Sequence, residues 1–266
     1  MSSPVVELTS VSKVFDTNTA LHDVNISVEP GEVHCLLGDN GAGKSTLIKI
    51  MSGVYQPTTG QIRLGGKPVT FASPREAQGH GIATVYQDLD LFPLMPVSEV
   101  FFLGREITRG RGPGRRVDKK RAAQLALEQI HRMGIRRVTS GGQLVGTLSG
   151  GERQALAISR ALYFGARVLI LDEPTSALGV KEAGVVLRLI DTAKADGIAV
   201  IFITHNAHHA LITGDRFTIL IHGTVADQFQ SGQRTREELL NLMAGGEELE
   251  SLQEHLEEPE PDQARP

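Results

Sequence analysis

The chain has 266 residues, of which 40% are hydrophobic and 22% charged, a balance that excludes a fibrous or wholly disordered protein. Its single cysteine, Cys35, cannot form an intramolecular disulfide, and residues 1–7 lack the features of a signal peptide. These features predict a reducing, cytosolic location. The longest apolar stretches, such as Ile198–Ile203, have the length of strands and not of membrane helices, so any membrane role would depend on a partner.

The negative charge is concentrated at the end of the chain. Residues 247–266 contain eight acidic residues and one basic residue, which leaves a net charge of +3 on residues 1–246. A nearly neutral body does not favour nucleic-acid binding. The one locally basic stretch, Arg105–Arg121, is interpreted as a solvated face, and the acidic tail as a loosely ordered, solubilising extension.

Short apolar runs alternate with helical patterns along the chain, which predicts an α/β protein with a sheet covered by helices. Val33–Leu37 is predicted to be a buried strand that enters a glycine loop, followed by a helix that ends at Gly53. Ser73–Glu76 has the pattern of a capped helix start. A strand is predicted at 82–86, and Gln87 lies just beyond it.

The middle of the chain changes character. Asp118 predicts the start of an amphipathic helix, within a helical insertion at about 91–160. Residues 109–114 contain too much glycine and proline for regular structure, so a flexible surface loop is predicted there. Two further strands are predicted at 168–171 and 198–203, separated by a helix.

Residues 38–45 read Gly-Asp-Asn-Gly-Ala-Gly-Lys-Ser and match the phosphate-loop pattern G-x-x-x-x-G-K-[ST] in full. In such a loop, backbone N–H groups surround phosphate oxygens, Lys44 neutralises the β- and γ-phosphates, and the Ser45 hydroxyl is a ligand for Mg²⁺. The candidate nucleotide-binding residues of this segment are Gly38, Asp39, Asn40, Gly41, Ala42, Gly43, Lys44, Ser45 and Thr46.

A pair of carboxylates, Asp172 and Glu173, follows the strand predicted at 168–171. This places Asp172 at the carboxyl end of a strand, the edge where open α/β sheets bind ligands, and its carboxylate can hold Mg²⁺ through water. Glu173 is then free to orient or deprotonate the water that attacks a γ-phosphate. Taken alone, such a pair also fits a helix-capping turn.

Ser149, Gly150 and Gly151 open another predicted helix. A hydroxyl and two glycines at a helix N-terminus can bind an anion, because the first N–H groups are free to meet a phosphate. Ser149 and Glu152 also satisfy the S-x-x-E capping box, which accounts for both residues without any ligand. Both interpretations stay open at this point.

Together these motifs resemble an ATP-binding cassette, the nucleotide-binding subunit of ABC transporters. The phosphate loop, Gln87, Leu148–Gly151, Leu171–Thr175 and His205 occur in the order and approximate spacing of that family, over residues 5–245. The resemblance implies a P-loop NTPase (RecA-like) core with an antiparallel β subdomain and an inserted α-helical signature subdomain. It gives an ATP-binding domain at 1–245, followed by the tail at 246–266.

The resemblance also implies roles for individual residues, with ATP and Mg²⁺ as the ligands. Lys44 and the loop amides would bind the phosphates, while Ser45 and Gln87 would ligate Mg²⁺. Asp172 would support the metal, and Glu173 would be the general base.

Other implied roles lie outside the phosphate loop. His205 would contact the γ-phosphate, and Phe15 would stack on adenine, although a lone phenylalanine is also an ordinary core residue. In such cassettes two copies close head to tail, so Ser149, Gly150 and Gly151 would act on the ATP of the second copy.

Two positions depart from the usual pattern of the family. Glu152 replaces a common glutamine, and Gly179 replaces an aspartate that helps to couple the two ATP sites. His208 and His209 are interpreted as helix-surface residues and not as metal ligands, because no carboxylate or cysteine stands at ligand spacing.

Local sequence is also similar to cassettes of bacterial monosaccharide importers of the ribose, xylose and fructose type, and the single cassette resembles the fructose importers. The similar segments are Gly53–Pro57, Phe71–Pro74, Val85–Leu89 and Phe102–Glu106. This implies a homodimeric ATPase beneath a polytopic permease, fed by an extracytoplasmic sugar-binding protein, at the cytoplasmic face of the inner membrane. Residues 87–102 would contact the permease, and no nucleic acid is expected.

Two other hypotheses compete with import. One is a soluble ABC-type ATPase that acts on nucleic acid or ribosomes without a permease. The other is a module that binds nucleotide without useful hydrolysis, which the presence of Lys44, Asp172, Glu173 and His205 disfavours.

Overall fold

The computed structural model describes residues 3–87, 89, 91–110 and 112–243. The predicted acidic tail at 246–266 lies outside these residues. The predicted α/β class is confirmed by two larger sheets, a small hairpin and eight α-helices within the described part of the chain.

The central sheet has six strands, all parallel except for one antiparallel strand at its edge. The strands, in spatial order, are β12 (Thr224–Gln230), β11 (Arg216–Ile221), β3 (Val33–Leu37), β10 (Ala199–Ile203), β9 (Val168–Asp172) and β6 (Ile82–Val85). Every residue of β3 and β10 is buried, as expected for parallel strands covered on both faces. The four strands predicted in this sheet are confirmed to within one residue at each end.

An antiparallel sheet packs beside the central one. Its order is β2-β1-β4-β5, with β1 (Val6–Phe15), β2 (Asn18–Val28), β4 (Thr59–Leu64) and β5 (Lys67–Val69). Helix α1 (Lys44–Met51) buries its apolar face, Leu47, Ile48, Ile50 and Met51, in a hydrophobic core shared with residues of both sheets. This core fixes the helix that follows the phosphate loop.

The remaining helices are α2 (Pro74–Gly79), α3 (Val97–Phe101), α4 (Lys119–Arg132), α5 (Gly150–Tyr163), α6 (Val180–Ala195), α7 (Ala207–Thr213) and α8 (Arg236–Met243). Helices α3, α4 and α5 pack on one another within the segment predicted as a helical insertion. The Asp118 carboxylate accepts a hydrogen bond from Arg121 N at 3.1 Å, which confirms the predicted start of α4. Among the described residues, no helix combines the length and hydropathy needed to cross a bilayer.

The prediction of a flexible loop at 109–114 was wrong in part, because the segments at its two ends pair as the strands of a small hairpin. Strand β7 (Thr108–Arg109) pairs with β8 (Arg116–Val117), and a 3-10 turn spans Gly112–Gly114. Gly110 and Gly112 have φ values of +88° and +59°, a region that glycine enters without steric cost. The glycines that argued against regular structure therefore supply the reversal between two strands.

A buried polar cluster joins β3 to β11. The His34 ring lies 3.2 Å from Glu32 Oε1 through Nδ1 and 2.8 Å from Thr218 Oγ1 through Nε2. Arg216 Nε lies 3.3 Å from the same Glu32 oxygen. Burial acts to raise the pKa of Glu32, but the hydrogen bonds and the charges of His34 and Arg216 outweigh it and hold the pKa below its usual value. The cluster anchors the strand that leads into the phosphate loop.

Candidate active site

The sheet register brings four loops to one edge of the molecule. In the parallel ladder, Ile203 of β10 pairs with Leu36 of β3 and with Asp172 of β9, while Leu171 of β9 pairs with Val85 of β6. The carboxyl ends of these strands therefore meet. The loops that leave them carry the phosphate loop, His205, Glu173 and Gln87, at the edge where open α/β sheets bind ligands.

A cavity of about 490 Å³ opens at this edge. Ten of the predicted site residues line it, namely Asn40, Gly41, Ala42, Gly43, Lys44, Ser45, Thr46, Gln87, Asp172 and Glu173. The volume is suited to a ligand of the size of a nucleotide. The other predicted residues, Phe15, Gly38, Asp39, Ser149, Gly150, Gly151 and His205, are not part of its lining.

Four lining residues were missed by the sequence analysis: Asn18, Thr19, Ala20 and His222. The first three open β2, and His222 lies in the turn between β11 and β12. This turn is joined to the phosphate loop by a hydrogen bond from Gly223 N to the Ala42 carbonyl, 3.0 Å long. No local motif signals such residues, because contacts between distant parts of the chain bring them to the cavity.

Glycines let the phosphate loop approach its neighbours closely. Gly38 has φ +143°, and a Cβ there would overlap the carbonyl oxygen of Leu220 at the end of β11. Gly43 has φ +100°, and its Cβ would lie 2.8 Å from the Ala20 carbonyl oxygen. Because both positions combine a left-handed backbone with close packing, they require glycine. Gly38 thus supports the loop from outside the cavity.

Lys44 lies at the centre of the charged groups of the site. Its Nζ donates to the carbonyl oxygens of Gly38 at 2.8 Å and Asp39 at 2.9 Å. Burial lowers the pKa of Lys44, while the Glu173, Asp39 and Asp172 carboxylates act against that shift. The ammonium group is therefore held over the loop, facing the carboxylates at the end of β9.

The pKa of the Asp172 carboxyl is raised, whereas that of Lys44 is lowered. Burial raises the pKa of its carboxyl, the neighbouring Glu173 raises it further, and Lys44 and Lys49 act to lower it. A carboxylate in this position is stabilised by any additional cation. Asp172, Ser45 and Gln87 all line the same cavity, and their side chains carry hard oxygen donors of the kind that suit Mg²⁺.

Glu173 adopts an unusual backbone conformation. Its φ is +48°, a left-handed value that costs a residue with a Cβ about 1–2 kcal/mol. The Glu173 N–H donates to the Ile203 carbonyl of β10 at 3.0 Å, and its Oε2 lies 2.9 Å from His205 Nδ1. The Glu173 side chain is 12% exposed and that of His205 is 69% exposed. The structure therefore brings together these two residues predicted from separate motifs.

The Ser149 motif lies apart from the phosphate loop. Ser149 Oγ accepts from Glu152 N at 3.4 Å, and Glu152 Oε2 accepts from Ser149 N at 2.8 Å, which confirms the capping-box interpretation. Ser149 and Gly151 line a separate depression of about 210 Å³, together with Arg137 and Glu182 among other residues. Within one copy, the motif and the phosphate loop do not share a cavity.

Phe15 lies at the end of β1 and is 37% exposed, so it is not a core residue. Its ring meets the Tyr55 ring edge-on with a centroid separation of 5.2 Å, and Lys13 Nζ lies 4.9 Å from its centroid. The contacts with Tyr55 and Lys13 thus hold the ring at the surface.

Comparison with known proteins shows the family of the chain. Residues 21–176 match the family model described as ABC transporter. The chain is 42% identical to the fructose import ATP-binding protein of Rhizobium meliloti, over 81% of this chain and 84% of that protein. It is 40% identical to the xylose/arabinose import ATP-binding protein of Sulfolobus acidocaldarius, over 91% and 94%. A ribose import ATP-binding protein of Burkholderia pseudomallei is 38% identical over 91% of this chain, which spans only 47% of that protein.

Solved structures have the same fold. An ATP-binding cassette of an ABC transporter in its ADP conformation superposes with a TM-score of 0.77 at 23% identity, covering 96% of this chain and 99% of that one. A dimeric cassette in a post-hydrolysis state, bound to ADP and phosphate, gives 0.71 at 27% identity, covering 86% and 100%. Fold and site define a P-loop ATPase with an inserted helical segment. The chain belongs to the ABC transporter family and is an ABC-type ATPase cassette.

Proposed function

We propose that the chain is the ATP-hydrolysing subunit of an importer for a monosaccharide of the fructose, ribose or xylose type. The observation that carries the proposal is the convergence of Lys44, Asp172 and Glu173 on one cavity, in a chain whose relatives are named as import ATP-binding proteins for those sugars. The same relatives do not favour the alternative of an ATPase that acts on nucleic acid or ribosomes.

The phosphate loop would bind the triphosphate of ATP. Its N–H groups and the start of α1 offer donors and partial positive charge, and Lys44 Nζ would exchange its carbonyl partners for β- and γ-phosphate oxygens. Ser45 and Gln87 would hold Mg²⁺ directly and Asp172 would support it, consistent with the raised pKa of the Asp172 carboxyl. When bound, the metal neutralises charge on the phosphates.

Glu173 would act as the general base. Its carboxylate would accept a proton from the water that attacks the γ-phosphate, a step worth about 10²–10⁴-fold in rate when the base is well placed. His205, 2.9 Å away, would orient that carboxylate and contact the γ-phosphate. Phe15 would stack on the adenine ring.

The second half of the site would come from another copy of the chain. Ser149, Gly150 and Gly151 lie at the start of α5, apart from the phosphate-loop cavity. In a head-to-tail homodimer their N–H groups would meet the γ-phosphate held by the partner. The dimeric cassette among the structural neighbours supports the pairing of two copies.

The permease would dock beside the helical insertion, which we assign to about 91–160 within an ATP-binding domain at 1–245. A mainly apolar groove of about 280 Å³ lies there, and its lining includes Leu89, Leu91, Phe92, Leu156 and Phe164. Phe92 is 56% exposed in the isolated chain. Covering such a patch by a membrane partner is favourable, and it would hold the ATPase at the cytoplasmic face of the inner membrane.

The proposal is tested by affinity capture of the tagged subunit from detergent-solubilised membranes of its own host. Recovery of a polytopic permease is expected, with uptake of labelled fructose, ribose or xylose lost in a Lys44→Ala strain. Phe92→Asp should weaken capture while leaving ATP binding intact, and Leu240→Asp, an exposed position on α8, serves as the control. Recovery of ribosomes or nucleoprotein without a permease would overturn the import assignment.

A further inference from the structure

The two histidines on α7 differ in their surroundings. His208 is exposed, whereas His209 is half-buried, and its Nδ1 lies 3.0 Å from Thr175 Oγ1, within hydrogen-bonding distance. The Thr175 side chain is itself buried, with 5% of the residue exposed. The expectation that both histidines are surface residues therefore holds for His208 only.

Thr175 lies in the loop that carries Glu173. Within this loop, Ser176 N and Ser176 Oγ both donate to the Glu173 carbonyl, at 3.1 and 2.9 Å, so residues 173–176 form a compact turn. Glu173 has a left-handed φ in this turn, a conformation that persists only when its surroundings hold it. The contact between His209 and Thr175, which lies two residues after Glu173, can hold the turn in this conformation.

The start of α7 meets this turn at two points. His205 Nδ1 lies against the Glu173 carboxylate, and His209, four residues later, lies against Thr175. The Asn206 side chain caps α7 by accepting a hydrogen bond from His209 N at 3.1 Å. This hydrogen bond fixes the position of the His209 backbone, from which the ring extends. Two imidazoles, one just before α7 and one in its first turn, therefore contact this turn.

We infer that His209 is a positioning residue: through Thr175 it fixes the turn that orients the Glu173 carboxylate toward the phosphate-loop cavity. This inference rests on the proposed role of Glu173 as general base. His209 is not part of the lining of the phosphate-loop cavity. Its effect on the rate is exerted entirely through the backbone of residues 173–176.

The loop that contains Thr175 also connects Glu173 with the residue that packs on the Ser149 motif. Further along the same loop, Leu178 packs so closely on Gly150 that a Cβ at Gly150 would lie 2.7 Å from Leu178 Cδ2. Along the loop, Thr175 therefore lies between Glu173 and Leu178, the residue that packs on the start of α5. Loosening Thr175 would disturb the geometry of Glu173 before that of ATP binding.

The test measures kcat, KM for ATP, nucleotide affinity and Tm for His209→Ala, Thr175→Val and the double variant of the full chain. Each single change should lower kcat about tenfold, because small misplacements of a catalytic group are costly. KM and nucleotide affinity should stay within about twofold. The double variant should be no slower than either single variant, because both remove the same contact.

Two further variants separate positioning from general stability. His209→Asn, whose side chain can place a polar atom near the position of Nδ1, should restore most of the rate. His208→Ala, on the same helix but exposed, should match the wild type in kcat and Tm. A drop in Tm with unchanged kcat for His209→Ala, or losses that multiply in the double variant, would overturn the inference.

Glu173→Gln distinguishes failure of the inference from failure of the proposed function. If Glu173→Gln retains turnover, the role of Glu173 as base and the inference fall together. If Glu173→Gln is inactive and His209→Ala is fully active, only the inference falls. In the Glu173→Gln background, His209→Ala should not reduce the residual rate further, and an additional loss would also overturn the inference.

Discussion

The Glu173 carboxylate lies 2.9 Å from the imidazole Nδ1 of His205, and the two residues leave adjacent parallel strands whose last paired residues are Asp172 and Ile203. The sheet register therefore creates this pair. It places a largely buried carboxylate beside a largely exposed ring, at a geometry that is not a hydrogen bond, since Glu173 Oε2 has no hydrogen-bond partner among the described residues.

Glu173→Gln should abolish turnover and leave ATP binding intact, because an amide keeps the size of the side chain but cannot accept a proton from water. The expected loss in kcat is about 10²–10⁴-fold, measured by steady-state ATPase assay alongside binding of a fluorescent nucleotide. Glu237→Gln, at an exposed position on α8 and outside both the phosphate-loop cavity and the Ser149 depression, is the matched control and should leave kcat near that of the wild type. Appreciable turnover in the Glu173→Gln variant would contradict the assignment of the base.

Gly38→Ala should disable the phosphate loop more severely than Gly41→Ala. Both glycines have positive φ, but a Cβ at Gly38 would overlap the Leu220 carbonyl, whereas at Gly41 nothing lies within 4 Å. The strained backbone costs Gly41→Ala about 1 kcal/mol, and the overlap at Gly38 adds to that cost. Urea unfolding of both variants tests the difference in stability. Equal losses of stability would contradict the prediction, because they would show that the end of β11 can shift to relieve the overlap with Leu220 at little cost.

Glu32→Gln tests the buried cluster behind the phosphate loop. Because the pKa of Glu32 is lowered on folding, its contribution to stability is present above the unfolded pKa and is lost as pH falls through the folded value. At pH 7 the substitution should cost roughly 2 kcal/mol, as expected for loss of hydrogen bonds to a charged group. The difference from wild type should narrow as pH drops below about 4.5.

The control for this pH dependence is Glu99→Gln. Glu99 forms an exposed ion pair with Lys119 at 2.9 Å, and exposed pairs contribute less than about 1 kcal/mol. Denaturant unfolding across the pH range should therefore show a much smaller change for this variant. If both variants behave alike, the Glu32 cluster does not stabilise β3.

The sequence predicts the parts of the site that are local and leaves out those that depend on tertiary contacts. The phosphate loop and the carboxylates at 172–173 are each a strand followed by characteristic residues, so their chemistry and placement could be inferred together. His222 and Asn18 reach the same cavity only because the β11–β12 turn and the start of β2 fold against the phosphate loop. The contact of His209 with Thr175 is hidden for the same reason.

Gly179→Asp tests the most consequential departure from the family pattern. Gly179 is the N-cap of α6, with φ −67° and ψ 159°, and makes no side-chain cap. A Cβ there would meet nothing within 4 Å, so an aspartate fits without strain. It should gain a few tenths of a kcal/mol, about the advantage of aspartate over glycine at an N-cap, seen as a small rise in Tm.

The carboxylate introduced by Gly179→Asp should also strengthen coupling between the two ATP sites, the role that the family resemblance implies for an aspartate at this position. The measurement is the Hill coefficient for ATP in the steady-state ATPase assay, with Gly179→Ser as the control. Serine caps the helix comparably but carries no charge, so it should raise Tm similarly and leave the Hill coefficient at the wild-type value. If serine and aspartate raise the coefficient equally, helix capping and not the carboxylate controls the coupling.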